Sequence, residues 1–367
     1  MLYFDHNATS PLCAAGRTAW LEATERFVGN PSSPHRLGAR ASVALEEARE
    51  KLASWLGGAP RDIVWTSGAT EGNNAALHHA AAEEGEAWIS AIEHPCLLEA
   101  SRRFFSGRLQ HIPVTPAGVV DLDWLRAAFF RKKPALVAVM AANNETGVLQ
   151  PWEEIAALCR EQNVAFLCDA AQWLGKMAPS GLGACDFVTG CAHKFGGPQG
   201  VGFLKVPANF RPLIVGGMQE EGRRAGTENV AGVLASVAAL EQRTSQLNLT
   251  ARRKMREDAE AAILDAVPAA RIVGGTAERL WNTIEVIMPE LPDCRQRWVV
   301  KLDKLGFAVS TGSACASGKE QTSHVLAAMG CSAAEASQAL RFSSGWETEL
   351  ADWLQLAAAL KKASAEI

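Results

Sequence analysis

Two stretches decide how this chain reads: Ala165-Phe166-Leu167-Cys168-Asp169-Ala170-Ala171-Gln172 and Gly190-Cys191-Ala192-His193-Lys194-Phe195-Gly196-Gly197-Pro198, whose lysine lies 25 residues on from the acid of the first. The first ends an apolar run of strand length on an acid. A carboxylate there is partly desolvated and needs a cation or good donors, the ordinary alternative being an Asp that caps the next helix. The second places a lysine just after another strand, between His193 and Phe195 and ahead of a Gly/Pro turn and the Gly-rich Gln199-Gly200-Val201-Gly202-Phe203. Most lysines are solvated surface charges. A lysine in this position expects a lowered amine pKa and is suited to Schiff-base chemistry.

Outward from these segments, apolar runs at 63–66, 88–91, 111–114, 136–140, 165–168 and 187–189 read as strands, several with helical sequence between them. Leu37, Ala41, Ala44, Leu45, Ala48, Leu52, Trp55 and Leu56 recur at helical spacing and Gly57-Gly58 closes the run, which predicts a helix over 37–56. The alternation argues for an α/β fold with a mostly parallel sheet and helices on both faces, in which ligands collect at the carboxyl ends of the strands. From about Glu241 the texture changes to a charged helix over 250–264, short strands near 271–273 and 283–288, and a last helix over 347–362. At 367 residues the chain exceeds the usual ceiling for one core. The expected division is a large cofactor-binding domain of residues 14–245 and a smaller α+β domain of residues 1–13 and 246–367.

With 48% apolar residues, 21% charged residues and a net charge of −4, the chain has no polyelectrolyte character, so neither nucleic acid nor a membrane surface is an expected partner. Met1-Leu2-Tyr3-Phe4-Asp5-His6 has no basic or long apolar stretch, and no run of about 18 apolar residues escapes a charge, Gly or Pro; a cytoplasmic location is expected. Nine cysteines form no C-x-x-C pair, which argues against a disulfide framework and against a metal site. Most are expected to be buried, inert thiols.

One more feature completes a constellation. Thr66-Ser67-Gly68-Ala69-Thr70-Glu71 follows a strand and opens a helix, offering free N–H groups and the positive end of a helix dipole to a phosphate; alone it is an ordinary helix cap. Together with Asp169 and Lys194 it fits pyridoxal 5'-phosphate (PLP), held by its phosphate, by its ring nitrogen and by its aldehyde.

With these segments in place the chain resembles the class V aminotransferase family of fold-type I PLP-dependent transferases, and within it the NifS/IscS-like cysteine desulfurases. The resemblance runs through Tyr3-Phe4-Asp5-His6-Asn7-Ala8-Thr9, Asn30-Pro31-Ser32-Ser33, the 67–71 turn, Glu93-His94, Asn143-Asn144-Glu145-Thr146-Gly147, Asp169-Ala170-Ala171-Gln172 and His193-Lys194. It continues through Gly216-Gly217-Met218-Gln219-Glu220, Arg224-Ala225-Gly226-Thr227-Glu228-Asn229, Ser313-Ala314-Cys315 and Leu340-Arg341-Phe342-Ser343. It implies that Ala69, Thr70 and His193 bind the phosphate, that His94 stacks on the ring and assists proton transfer, and that Gln172 bonds the phenolic oxygen. It implies further that Asn144 contacts cofactor and substrate, and that Arg341 takes the substrate carboxylate with its planar, two-pronged donor. Thr227 would reach the phosphate of a partner subunit, so a homodimer with shared active sites is expected.

The segment Ser310-Thr311-Gly312-Ser313-Ala314-Cys315-Ala316-Ser317-Gly318, after a strand at 307–309, is nearly all small and polar, and so buries little; Cys315 is expected to be exposed and nucleophilic. The implied reaction is removal of sulfur from L-cysteine: Lys194 moves the α-proton, the Cys315 thiolate takes the sulfur as a persulfide, and alanine leaves. A protein sulfur acceptor would follow, serving iron–sulfur cluster assembly, a thiolated tRNA or a dedicated biosynthesis. A selenocysteine lyase or other C–S lyase would use the same cofactor site; a class V aminotransferase or a non-catalytic relative would have no use for this thiol. Two departures from the family pattern stand out. Cys191 occupies the place of a phosphate-binding serine and is a weaker donor. Lys319-Glu320-Gln321-Thr322 replaces the usual Leu-Glu-Pro stretch, and with 26 residues after Arg341 the longer scaffold-binding tail is expected to be missing.

Overall fold

The computed structural model describes residues 1–289, 294–312 and 322–365. Its centre is a seven-stranded sheet in the order Ile63–Thr66, Gly202–Lys205, Phe187–Cys191, Ala165–Asp169, Leu136–Ala138, Ala87–Ser90, Leu109–Ile112. Only Gly202–Lys205 runs against the others. The interior strands are Val, Leu, Phe and Ala, buried on both faces, as parallel strands between helix layers must be. The outermost pair was expected two residues later, at 111–114. Pro113 has no N–H for the ladder, and the edge strand leaves Gln110 and His111 exposed, so it carries little apolar signal.

The helix expected over 37–56 is Arg36–Leu56. His35 caps it by accepting from Gly38 N, and Gly57 ends it at φ 75°, the left-handed position where a side chain is penalised. Its apolar stripe, with Leu45, Leu52 and Leu56 at 3% exposure or less, packs on the sheet and contributes about 2 kcal/mol per leucine. On the other face the helix Ala69–Ala80 lies so close that a Cβ on Gly72 would stand 2.9 Å from Thr189 Cγ2.

A second core holds Phe4, Trp298, Phe342 and Trp353. Around it lie an antiparallel sheet in the order Ala339–Ser343, Thr283–Ile287, Arg271–Ile272, a parallel pair of Leu2–Tyr3 with Phe307–Ala308, and the helices Leu249–Ala266 and Leu350–Ala365. The N-terminal segment joins the two cores. Asp5 bridges to Ser343, and Ser10 N donates to His193 O at 2.7 Å before the helix Ala14–Arg26 packs against Val230–Ser245. No helix among the described residues is long and apolar enough to cross a membrane, and no cluster of His, Cys, Asp and Glu among them is arranged to hold a metal.

Candidate active site

Asp169 ends its strand in register with Thr189 on the next, and that neighbouring strand runs two residues further before the turn Ala192–Lys194. The two deciding segments therefore open at the same sheet edge. A cavity of about 880 Å³ lies there, and Ala69, Thr70, His94, Asn144, Asp169, Gln172, Cys191, His193, Lys194 and Arg341 all line it. Thr227 does not; it is exposed, away from this cavity. Cys315 lies outside the described residues.

Asp169 is 4% exposed and has two neutral donors, Asn73 Nδ2 on Oδ2 at 2.7 Å and Ala171 N on Oδ1 at 2.9 Å. Among the described residues it forms no ion pair. Thr189 Oγ1 donates to Asn73 Oδ1 at 2.9 Å, which fixes the amide so that its donor end faces the acid. Lys194 donates to Asn7 O at 2.6 Å and Ala8 O at 2.9 Å. Burial lowers its amine pKa and Arg341 lowers it further, against Cys191, Asp5 and Asp169. His94 caps Pro95–Phe104 by accepting from Cys96 N at 3.2 Å while facing the cavity, so the capping role and the site role coexist. Burial also lowers its pKa, opposed by Asp169 and reinforced by Lys194 and His324. His193, 3.2 Å from Thr9 Oγ1, is pushed down to about 4, chiefly by burial and then by Lys194. The Cys191 thiol is raised to about 11, chiefly by burial, and accepts from the Ala69 N–H.

Arg341 is 1% exposed. Its Nη2 donates to Asp5 Oδ1 at 2.7 Å and its Nη1 to Asn144 O at 2.9 Å and Gly312 O at 3.2 Å, while Nε has no partner among the described residues. The guanidinium expected to meet a carboxylate is thus held in place by Asp5. Neither Asp5 nor Asn73 was singled out in the sequence reading, and Asn7 was quoted without a role. Each comes from a segment remote from its partner, and no local pattern marks it.

These residues fit PLP. Asp169 is a buried acid with no cationic partner among the described residues, as a protonated ring nitrogen requires. At the other end, Gly68 begins the Ala69–Ala80 helix with no side-chain cap, and a Cβ there would meet nothing within 4 Å. That is an open cup at a helix N-terminus. Lys194 projects a neutral-prone amine between the two.

A family model described as Aminotransferase class-V matches residues 2–353. The chain is 38% identical to a cysteine desulfurase of Klebsiella pneumoniae over 93% of this chain and 87% of the relative. It superposes on a NifS-like protein from Rickettsia africae with a TM-score of 0.90 at 30% identity, covering 100% of this chain and 99% of the other. SspA in complex with cysteine matches with a TM-score of 0.81 at 28% identity, over 94% and 98% of the two chains. An acid and a lysine delivered by neighbouring parallel strands to one cavity at a helix N-terminus, together with matches that span nearly the whole sequence, lead to one assignment: the chain belongs to the class V aminotransferase family.

Proposed function

We propose that this protein is a PLP-dependent cysteine desulfurase that takes sulfur from L-cysteine onto Cys315 and releases alanine. The observation that carries this reading is the pairing at one cavity of Asp169, buried with no ion pair among the described residues, with Lys194, a desolvated amine. Relatives named cysteine desulfurase at 36–38% identity over most of the chain support the substrate. PLP, when bound, supplies an aldehyde for Lys194 and an electron-accepting ring for the α-carbon of the substrate.

The residues of the chain then have separable tasks. Asp169, held by Asn73 and Ala171, keeps its carboxylate on the ring nitrogen and so keeps that nitrogen protonated. Ala69 N–H, Thr70 and His193 hold the phosphate; with His193 neutral and Cys191 a thiol, that contact rests on hydrogen bonds more than on charge. Arg341 binds the substrate carboxylate, with Asp5 setting the plane of its guanidinium. Lys194 Nζ, lowered in basicity, accepts the α-proton. Cys315 attacks the substrate sulfur as a thiolate; the S–S bond forms as the Cβ–S bond breaks, the electron pair stays with the carbon fragment, which is protonated and leaves as alanine, and the persulfide remains for a protein acceptor. The enzyme works as a homodimer, with Thr227 serving the partner's phosphate site; exposure of Val215 and Met218 at 77% and 79% on the same segment supports that.

A selenocysteine lyase would share every residue above except Cys315. Lys194→Ala tests the shared part. It should abolish both the visible, borohydride-reducible cofactor band and alanine release from L-cysteine. A variant that kept the reducible band would refute the role of Lys194.

A further inference from the structure

Besides Lys194, a second lysine is sealed under the same cavity. Lys176 is 0% exposed, and among the described residues its Nζ touches only neutral oxygens: Asn7 Oδ1 at 3.0 Å and Gln172 Oε1, a shorter contact. Burial lowers its pKa well below the ordinary lysine value, reinforced by Lys194 and Arg341 and opposed by Cys191. An ammonium so placed has no carboxylate to offset its desolvation, an arrangement that core packing alone would not favour over a methionine. The reaction proposed above does not use it.

What Lys176 does to its neighbours is geometrically definite. Its Nζ donates to both amides it meets, so each of them turns its oxygen inward. Gln172 turns Oε1 to Lys176, which leaves Nε2 on the other side; there it donates to Asn7 O at 3.0 Å and keeps a second hydrogen for the cavity that Gln172 lines. Asn7 turns Oδ1 to Lys176 and Asn282 Nδ2, which sends its own Nδ2 to Asn144 O at 3.1 Å and Thr283 Oγ1 at 2.9 Å. The Asn7 carbonyl that receives Gln172 is the one on which Lys194 rests at 2.6 Å, and Asn144 O also receives Arg341.

We propose that Lys176 is a positioning residue of the active site: by fixing the amides of Gln172 and Asn7 it aims the Gln172 donor at the phenolic oxygen of the cofactor and holds the seat of Lys194. This rests on the PLP reading above. With Lys176 replaced by an apolar side chain, the Gln172 amide loses the contact on its oxygen and keeps only the one from Nε2 to Asn7 O, so its donor is no longer held toward the phenolic oxygen. A donor on that oxygen would draw off its negative charge and so favour loss of the proton from the cofactor held by Lys194; without the donor the visible, protonated form would persist to higher pH.

The test is a pH titration of the cofactor band in wild type, Lys176→Met, Gln172→Leu and the double variant, with the PLP dissociation constant measured alongside. Lys176→Met should move the midpoint up by about one pH unit and weaken PLP several-fold. Gln172→Leu should move it as far, and the double variant no further than Gln172→Leu alone. Loss of a positive charge beside Cys191, His6 and His193 would by itself also raise the midpoint, but it acts independently of Gln172 and so predicts shifts that add in the double variant; only loss of the Gln172 donor predicts no shift beyond that of Gln172→Leu. A Lys176→Met midpoint that is unchanged or lower, or shifts of the two single variants that add in the double, would overturn the proposal. Should Lys176→Met not fold, Lys176→Gln, which keeps one amide donor for Gln172, should titrate nearer to wild type than to Gln172→Leu; the reverse would overturn it equally. Absence of any borohydride-stable adduct on Lys194 in wild type would instead bring down the PLP reading itself.

Discussion

Asp169 and Lys194 were legible as single residues because each stands in an improbable place, a charge at the end of an apolar strand. Their partners were not. Asn73 reaches Asp169 across 96 positions, Asp5 reaches Arg341 across 336, and Lys176 sits in Trp173-Leu174-Gly175-Lys176, where nothing local separates it from a surface lysine. The Asp5 contact makes a prediction for Arg341→Lys. An ammonium cannot hold Asp5, Asn144 O and a carboxylate in one plane, so KM for cysteine should rise at least tenfold, with a smaller change in kcat and little change in the cofactor band. Steady-state kinetics check this, and an unchanged KM would point to another carboxylate anchor. His6 makes a second prediction. Its pKa is lowered to about 4, chiefly by burial, from 6.5 in the unfolded chain. The unfolded state therefore binds the proton more tightly, so this contribution is complete above about pH 6.5 and is lost as the pH falls toward about 4. Urea unfolding of the apoprotein should show stability falling across that window by roughly 3 kcal/mol from His6, with His193 adding in the same sense, and a shallower fall in His6→Gln. An equal slope in the variant would contradict the assignment.

At the scale of elements, long periodic segments read well and short ones did not. The helix Arg36–Leu56 was placed within one residue, because a buried stripe and a left-handed Gly57 both mark it. Gly202–Lys205 was not anticipated as a strand; its first residues were noted only as Gly-rich. Four residues carry too little pattern, and its leading glycine serves close approach instead of a turn: a Cβ on Gly202 would stand 2.5 Å from both Gly190 O and Gly68 Cα. Through Gly68 this strand supports the floor of the phosphate cup. Gly202→Ala should accordingly cost about 1–3 kcal/mol of stability and weaken PLP binding at least tenfold. Equilibrium dialysis with PLP decides the point, and wild-type affinity would show that the strand does not set the cup. Ala339–Ser343 is another strand not anticipated as one, and it carries Arg341 on a rigid, paired element, which explains how a long side chain stays ordered beneath the cavity.

For the whole molecule, the mostly parallel sheet followed from alternation of strand and helix, whereas the route of the N-terminus did not. Residues 2–10 run from the smaller core into the cavity, where Asn7 and Ala8 seat Lys194, so the site is assembled from both cores. The proposed homodimer would complete it through Thr227. Arg49 pairs with Glu220 through two bonds of 2.8 and 2.9 Å, both groups buried, and pins the segment that exposes Val215 and Met218. Met218→Asp should therefore give a monomer by light scattering and reduce turnover at least tenfold, while a fully active dimer would place the interface elsewhere. The central claim is that the sulfur of cysteine passes to Cys315. Mass spectrometry after a single turnover with L-cysteine tests it most directly. The account predicts one added sulfur atom on the peptide containing Cys315, matched by one alanine released, and no adduct and no alanine at the wild-type rate from Cys315→Ser. An adduct on Cys96, Cys191 or Cys331, or normal alanine release by the serine variant, would contradict it.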